Sequence, residues 1–205
     1  MAVLDKLSVP TNTEQQGTLM PKLQYRFRVN FLRMGGAGDT SIVTQNVVSV
    51  TRPELAHDEV VVDTYNSKIY LAGKHTWSPI TITLRDDVTS ETSRMLDQQV
   101  SRQIDMANQS SVQAATSYKF ETIIENLNGG NPSPVVLDQW ELSGCYIANI
   151  AYGETSYASG GEFQTITVQM RYDNARHGIV DRNIDDTLSG PSFSTDPNQD
   201  TNATT

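Results

Sequence analysis

The chain has 205 residues, a formal net charge of −9 at pH 7 and one cysteine, Cys145. That length supports one domain that buries about 70% of its unfolded surface without disulfide or metal staples. A lone cysteine excludes an intrachain disulfide and fits a reducing cytoplasm or a particle assembled there. The acidic balance argues against a protein that grips nucleic-acid phosphates. No run approaches the ~20 apolar residues of a membrane helix, and Asp5 and Lys6 precede no apolar signal core.

Composition divides the chain into an N-terminal arm (1–19), a β domain (20–177) and an acidic polar extension (178–205). Lys22 to Phe31 is the cleanest predicted strand, with Leu23, Tyr25, Phe27, Val29 and Phe31 alternating against polar neighbours. The Gly35-Gly36-Ala37-Gly38-Asp39 stretch supplies a turn. Ser41 to Val50 is rich in β-branched residues and is expected to complete a hairpin with the first strand. Arg52-Pro53 ends it. From Pro53 to Ser78 a long connection is expected, with short β-like pieces at Glu59 to Asp63 and Ile69 to Leu71 and a turn at Gly73. A connection of that length in a compact domain is usually functional or mobile.

Pro79 to Arg85 alternates strictly, with Ile80, Ile82 and Leu84 on the face expected to be buried. Thr89 to Asn108 is the one predicted helix, capped by Thr89 or Ser90, with Leu96, Val100, Ile104 and Ala107 as a narrow apolar stripe. It is expected to flank a sheet. Lys119 to Leu127 is a strand. Trp140 to Ile150 is another, with Trp140, Leu142, Tyr146, Ala148 and Ile150 expected on one face. Glu162 to Tyr172 is the last, with Ile166, Val168, Met170 and Tyr172 on one face.

Chemical constellations are missing. His57, His75 and His177 have no second His or Cys at ligand spacing, so no metal and no cofactor is expected. The Gly35 to Gly38 run joins elements without opening a phosphate-binding helix. Asp86-Asp87 stands at a strand end, where carboxylates cap and solvate. Cys145 lies in an apolar strand and is expected to be buried and inert. Arg26 and Arg28 share a polar strand face and suit ion pairing. No catalytic arrangement emerges, and the chain is expected not to be an enzyme.

From Tyr25 to Asp87 the sequence resembles the tail-tube proteins of contractile-tailed, myovirus-type bacteriophages. The likeness rests on the opening strand Tyr25-Arg26-Phe27-Arg28-Val29, the strand from Val47 to Pro53, the stretch from Lys68 to Trp77, and Ile80 to Leu84 running into Arg85-Asp86-Asp87. Leu142 to Ile147 and Phe163 to Val168, followed by Tyr172-Asp173, are similar too. The resemblance covers about residues 20 to 175; the two terminal segments look like additions.

The resemblance implies a mainly β fold, a β-barrel or sandwich of antiparallel strands with one flanking helix and extended N- and C-terminal arms. It implies hexameric rings stacked into the inner tube of a contractile tail, a conduit for genome delivery located in the virion and assembled in the host cytoplasm. The implied partners are further copies of the chain, the sheath protein, and tape-measure, baseplate and terminator proteins; genomic DNA would pass through the lumen without specific binding. Lys68, Ile69, Tyr70, Leu71, Lys74 and His75 would work between subunits or rings. Trp77, Ile80, Ile82 and Leu84 would hold the subunit together, with Trp77 as the hinge point between the two roles. Other assignments are a tube-like baseplate initiator or tail terminator, or the tube of a related injection machine. A carbohydrate-binding sandwich would need Trp77 or Trp140 as an exposed platform. An enzyme would depend on Asp86 or Asp87.

Overall fold

The computed structural model describes residues 22–36, 40–112, 114–129, 134–158 and 160–179, the last residue by its backbone alone. The expected arm at 1–19 and the extension beyond Ile179 lie outside the described residues. The elements are β1 (Phe27–Leu32), α1 (Ser41–Gln45), β2 (Val47–Val50), β3 (Leu55–Asp63), β4 (Lys68–Trp77), β5 (Ile80–Arg85), α2 (Glu91–Gln103), β6 (Ile104–Asp105), β7 (Ser110–Ser111), β8 (Phe120–Leu127), β9 (Val136–Ala151), β10 (Thr165–Arg171) and β11 (Asn174–Ile179).

All strand pairings among the described residues are antiparallel. The main sheet runs β1-β8-β9-β10-β5-β2, with β11 also on β9. Among the described residues β2 does not pair back to β1, so the architecture is an open sandwich and not a closed barrel. The sixteen-residue β9 belongs to both layers. Its first half pairs with β8 and β11, and its second half with β10. Val29 and Phe31 of β1, Ile80, Ile82 and Leu84 of β5, Phe120 and Ile124 of β8, and Ile166, Val168 and Met170 of β10 join one buried cluster with Leu96 of α2.

The bend in β9 has a local cause. Three residues of β8, from Phe120 to Thr122, face four of β9, from Cys145 to Leu142. Gly144 takes φ +69°, and a Cβ there would sit 2.1 Å from Asp173 Oδ2. This is a glycine bulge, which bends a strand and sharpens its twist. It also resets the alternation. Leu142 is buried before the bulge, and Cys145 and Ile147 after it, while Tyr146 is half-buried and Ala148 exposed. The single face expected for Trp140, Leu142, Tyr146, Ala148 and Ile150 is therefore broken at Gly144. Across from the bend, Gln103 of α2 donates to Ile147 O at 2.9 Å and accepts from Ile147 N at 3.0 Å.

Residues 41–50 also differ from expectation. Ser41–Gln45 is helical, only Val47–Val50 is strand, and β2 pairs with β5 while β1 pairs with β8. Positive φ at Gly35 and Gly36 redirects the chain after β1, and Gly35 N donates to Gln99 Oε1 at 2.8 Å. Asn46 Nδ2 donates to Thr92 Oγ1 at 2.8 Å, and Val43 is fully buried. Contacts with α2 override the β-branched propensity of this segment.

The flanking helix is shorter than predicted. Ser90 stands at the N-cap position, but its side chain makes no capping bond, and Asp86 and Asp87 supply the acceptors instead. Glu91 N donates to Asp87 Oδ1 at 3.0 Å, Thr89 Oγ1 to Asp87 Oδ2 at 2.9 Å, and Ser93 Oγ to Asp86 Oδ1 at 2.9 Å. Ile104 is extended (φ −150°), so it and Ala107 fall past the helix end. The buried stripe is Thr92, Leu96 and Gln99. Gln99 serves as a polar core clamp, since its Nε2 also donates to Tyr118 O at 2.7 Å.

At the far end of the first layer, burial pushes the Asp138 carboxyl up. Hydrogen bonds from Lys22 and Asn126, with His177 Nε2 at 3.7 Å, outweigh burial and hold it below the usual carboxylate range. A carboxylate depressed in this way contributes stability that is complete above its unfolded pKa, about 3.9, and is lost as pH falls through the folded value. Urea midpoints followed below about pH 5 should therefore drop more steeply in the wild type than in Asp138→Asn. Gly144→Ala should cost more than about 1 kcal/mol in denaturant unfolding, from its φ and its clash with Asp173. Gly160→Ala, which meets nothing within 4 Å, should stay within about 0.5 kcal/mol.

Candidate functional site

Where a loose connection was expected between Pro53 and Ser78, the chain builds a long hairpin. β3 and β4 pair from Leu55↔Trp77 at the base to Asp63↔Lys68 at the tip. Thr64 N and Thr64 Oγ1 both donate to Ser67 O at 2.8 Å and close the tip. Gly73 is not a turn. It lies inside β4 at a bulge, and a Cβ there would come within 2.9 Å of Asp58 O.

Every residue of β3 is exposed, and β4 is covered only at Gly73 and Trp77. A two-stranded ribbon with no supporting layer is marginal in water. The register sorts its side chains. Val60↔Leu71 and Val62↔Ile69 fall on one face, and Val61↔Tyr70, Glu59↔Ala72 and Asp63↔Lys68 on the other. Val60, Val62, Ile69 and Leu71 are each 42–53% exposed and form an apolar face. Covering them would favour association by roughly 3–6 kcal/mol, taking about half of the 1.5–3 kcal/mol of full burial for each. The Asp63–Lys68 pair at 3.8 Å is exposed at both ends, so it sets tip charge and adds little stability.

The base is aromatic. His57 and His75 face each other across the strands with ring centroids 6.1 Å apart, His75 lies 6.3 Å from Trp77, and Trp77 lies 5.8 Å from Tyr172. Trp77 is half-buried and marks the point where the exposed ribbon meets the domain. One strand pair further on, Ile80, Ile82 and Leu84 are 0–1% exposed.

The structure thus divides the residues singled out in the sequence. Ile69 and Leu71 share the apolar face, Lys68 and Tyr70 take the opposite face, and Lys74 and His75 sit near the base. Sequence reasoning missed Val60 and Val62 as partners of Leu71 and Ile69. Their signal was the Val60-Val61-Val62 run, which only a long antiparallel pairing turns into two faces.

A second feature is the open side of the sandwich. Among the described residues β1 pairs only with β8 and β2 only with β5, and a groove of about 1190 Å³ runs between these two edges. The remaining candidates have structural partners. Asp86 and Asp87 cap α2. Burial pushes the Cys145 thiol up to about 11. Arg28 Nε donates to Glu125 Oε2 at 2.6 Å, and Arg26 Nη1 to Asn128 O at 2.7 Å. Trp140 stacks on His177 with centroids 4.4 Å apart, so neither tryptophan forms an open platform. Among the described residues, no three His, Cys, Asp or Glu side chains converge on a point that could hold a metal, and no helix is long and apolar enough to cross a membrane.

No protein-family profile matches the sequence, and no curated protein does. Solved structures do match. A chain from the tube-terminating cap of the anti-feeding prophage aligns with a TM-score of 0.60 at 14% identity, over 83% of this chain and 99% of that one. A chain from the extended sheath–tube complex of the PVC extracellular contractile injection system aligns at 0.56 and 17% identity, over 83% and 100%. A chain from the baseplate of the anti-feeding prophage aligns at 0.54 and 16%, over 78% and 97%. The chain shares the fold of components of contractile injection systems, in keeping with the tail-tube resemblance of its sequence.

Proposed function

We propose that this chain is a structural subunit of the inner tube of a contractile tail. Six copies form a ring, rings stack into a hollow tube within a sheath, and the tube conducts a phage genome. The role involves no catalysis. The observation that carries this proposal is the β3–β4 hairpin, a ribbon exposed along its length whose apolar face needs a surface that the described part of its own domain does not provide. Two sheet edges unpaired among the described residues add to it, because open edges invite pairing with another copy. Repeated contacts between unlike faces then give rings or filaments.

In this proposal Ile69 and Leu71, with Val60 and Val62, dock on a neighbouring subunit or ring. Lys68, Tyr70, Lys74 and His75 border that contact, and Trp77 anchors the arm to the domain. The net charge of −9 suits a wall that DNA must pass without sticking. Tape-measure, baseplate, terminator and sheath proteins are the expected partners, and the assembled virion is the expected location.

A second assignment, a terminator or baseplate initiator built on the same fold, is favoured by the alignment with a tube-terminating cap. Copy number separates the two, since a major tube protein dominates a purified tail by mass and a cap is a minor band.

The test is the double substitution Val60→Lys with Leu71→Glu, which places opposite charges across the strand pair. Both side chains are exposed, so the subunit's own unfolding free energy should change by less than about 0.5 kcal/mol. Negative-stain microscopy should show tubes or stacked rings for the wild type and only dispersed subunits or single rings for the variant. Undiminished tube formation by the variant would remove the hairpin from the proposed contact.

A further inference from the structure

The groove between β1 and β2 carries a one-sided charge pattern. Its floor is apolar, with Phe27, Val29, Val50 and Ile124. Among the described residues that line it, every charged side chain is a cation: Lys22, Arg28, Arg52 and Arg85. Lys22 and Arg28 have carboxylate partners in Asp138 and Glu125. Arg52 and Arg85 have none among the described residues. Arg52 Nη2 reaches the Asn126 Oδ1 acceptor at 3.5 Å, and the Arg85 guanidinium lies 5.9 Å from the centre of the Phe163 ring. Among the described residues the groove thus joins positive charge without carboxylate partners, an apolar floor and two sheet edges with unpaired backbone groups. An extended acidic segment with interspersed apolar side chains meets all three demands.

Such a segment begins beside the groove. Ile179, the last residue of β11, pairs with Asp138; Asp138 pairs with Asn126; Asn126 pairs with Phe27 of β1. The end of β11 and the rim of the groove therefore lie in one ladder row, three strand spacings or about 14 Å apart. Residues 180–205 follow, and at about 3.3 Å per extended residue a handful of them covers that distance. They hold Asp181, Asp185, Asp186, Asp196 and Asp200 against Arg182 alone, with Ile184, Leu188 and Phe193 among them. Residues 1–21 join the same rim at Lys22, but their Asp5, Lys6 and Glu14 nearly cancel, so charge favours the C-terminal segment.

We propose that the β1–β2 groove is the docking site of the chain's own acidic C-terminal segment, residues 180–205, which covers both sheet edges in the free subunit. The Asp181, Asp185 and Asp186 carboxylates neutralise Arg52 and Arg85, and the apolar side chains of the segment cover the floor. Covered edges cannot template pairing with another copy.

Hydrogen exchange of the full chain, at concentrations too dilute for association, tests this independently of any tube. Amides of Val47–Val50 and Phe27–Leu32 should exchange about tenfold faster in Asp181→Asn/Asp185→Asn/Asp186→Asn than in wild type, as expected when a few ion pairs holding a segment are lost. Arg52→Glu/Arg85→Glu should do the same. Adding Asp185→Arg/Asp186→Arg to that variant should restore protection to within about twofold of wild type. Amides of the β10–β5 pairing report an intact fold, and if the glutamate variant disturbs them, Arg52→Gln/Arg85→Gln takes its place. Unchanged edge exchange in the aspartate variant overturns the proposal. So does loss of protection in the arginine variant alone, which would assign the groove to another segment. Protection that grows with protein concentration also overturns it, by placing a second copy in the groove.

Discussion

The structure depends on one strand serving two sheets. β9 turns from the β8–β11 layer to the β10 layer at Gly144, where Asp173 occupies the space that a side chain would need. Without that bend, β8 and β10 would extend one flat sheet, and the apolar faces of β5, β8 and β10 would not close on each other. The partner strand breaks at the same level. β10 ends at Arg171, and β11 resumes at Asn174 on the other half of β9. Gln103 satisfies the Ile147 backbone just beyond the bend and fixes α2 there. The core is therefore organised around a backbone conformation, and the side chains fill what it encloses.

The same constraint leaves β1 and β2 as edges. A sandwich folded about a shared central strand places its outermost strands at opposite ends of the ladder, and nothing in the described domain pairs with them. The stable part of the molecule is thus concentrated in β5, β8, β9, β10 and α2, while the surfaces that need company lie at the periphery. The hairpin carries this separation furthest. Its base packs through Trp77 on Tyr172, and beyond that it holds its shape by backbone pairing and exposed cross-strand side-chain pairs, with no layer beneath it among the described residues.

Legibility in the sequence follows burial. Ile80, Ile82 and Leu84, or Ile166, Val168 and Met170, alternate because one face meets the core, and period-2 reading finds them. Glycine punctuation marked the turn after β1 but not its consequence, since Ser41–Gln45 becomes helical through contacts with α2 that local propensity does not encode. The Gly144 bulge was hidden because alternation across it looks continuous until Asp173 is placed opposite. Polar core positions such as Thr92 and Gln99 carry no hydrophobic signal. The hairpin was half-legible. Its apolar residues stand out, but with no buried face they show no period, and the sequence alone reads as a connection. The aspartates at the start of α2 were recognised as caps from their place between a strand and a helix.

Cys145 has a practical consequence. It is the only thiol in the chain, it is fully buried, and its protonated form is strongly favoured near neutral pH. Maleimide and spin-label reagents, which need an accessible thiolate, will pass it over in the folded protein. The natural sequence therefore serves as its own cysteine-light background. A single cysteine placed at the hairpin tip or on the β2 edge can carry a probe with no change to the interior.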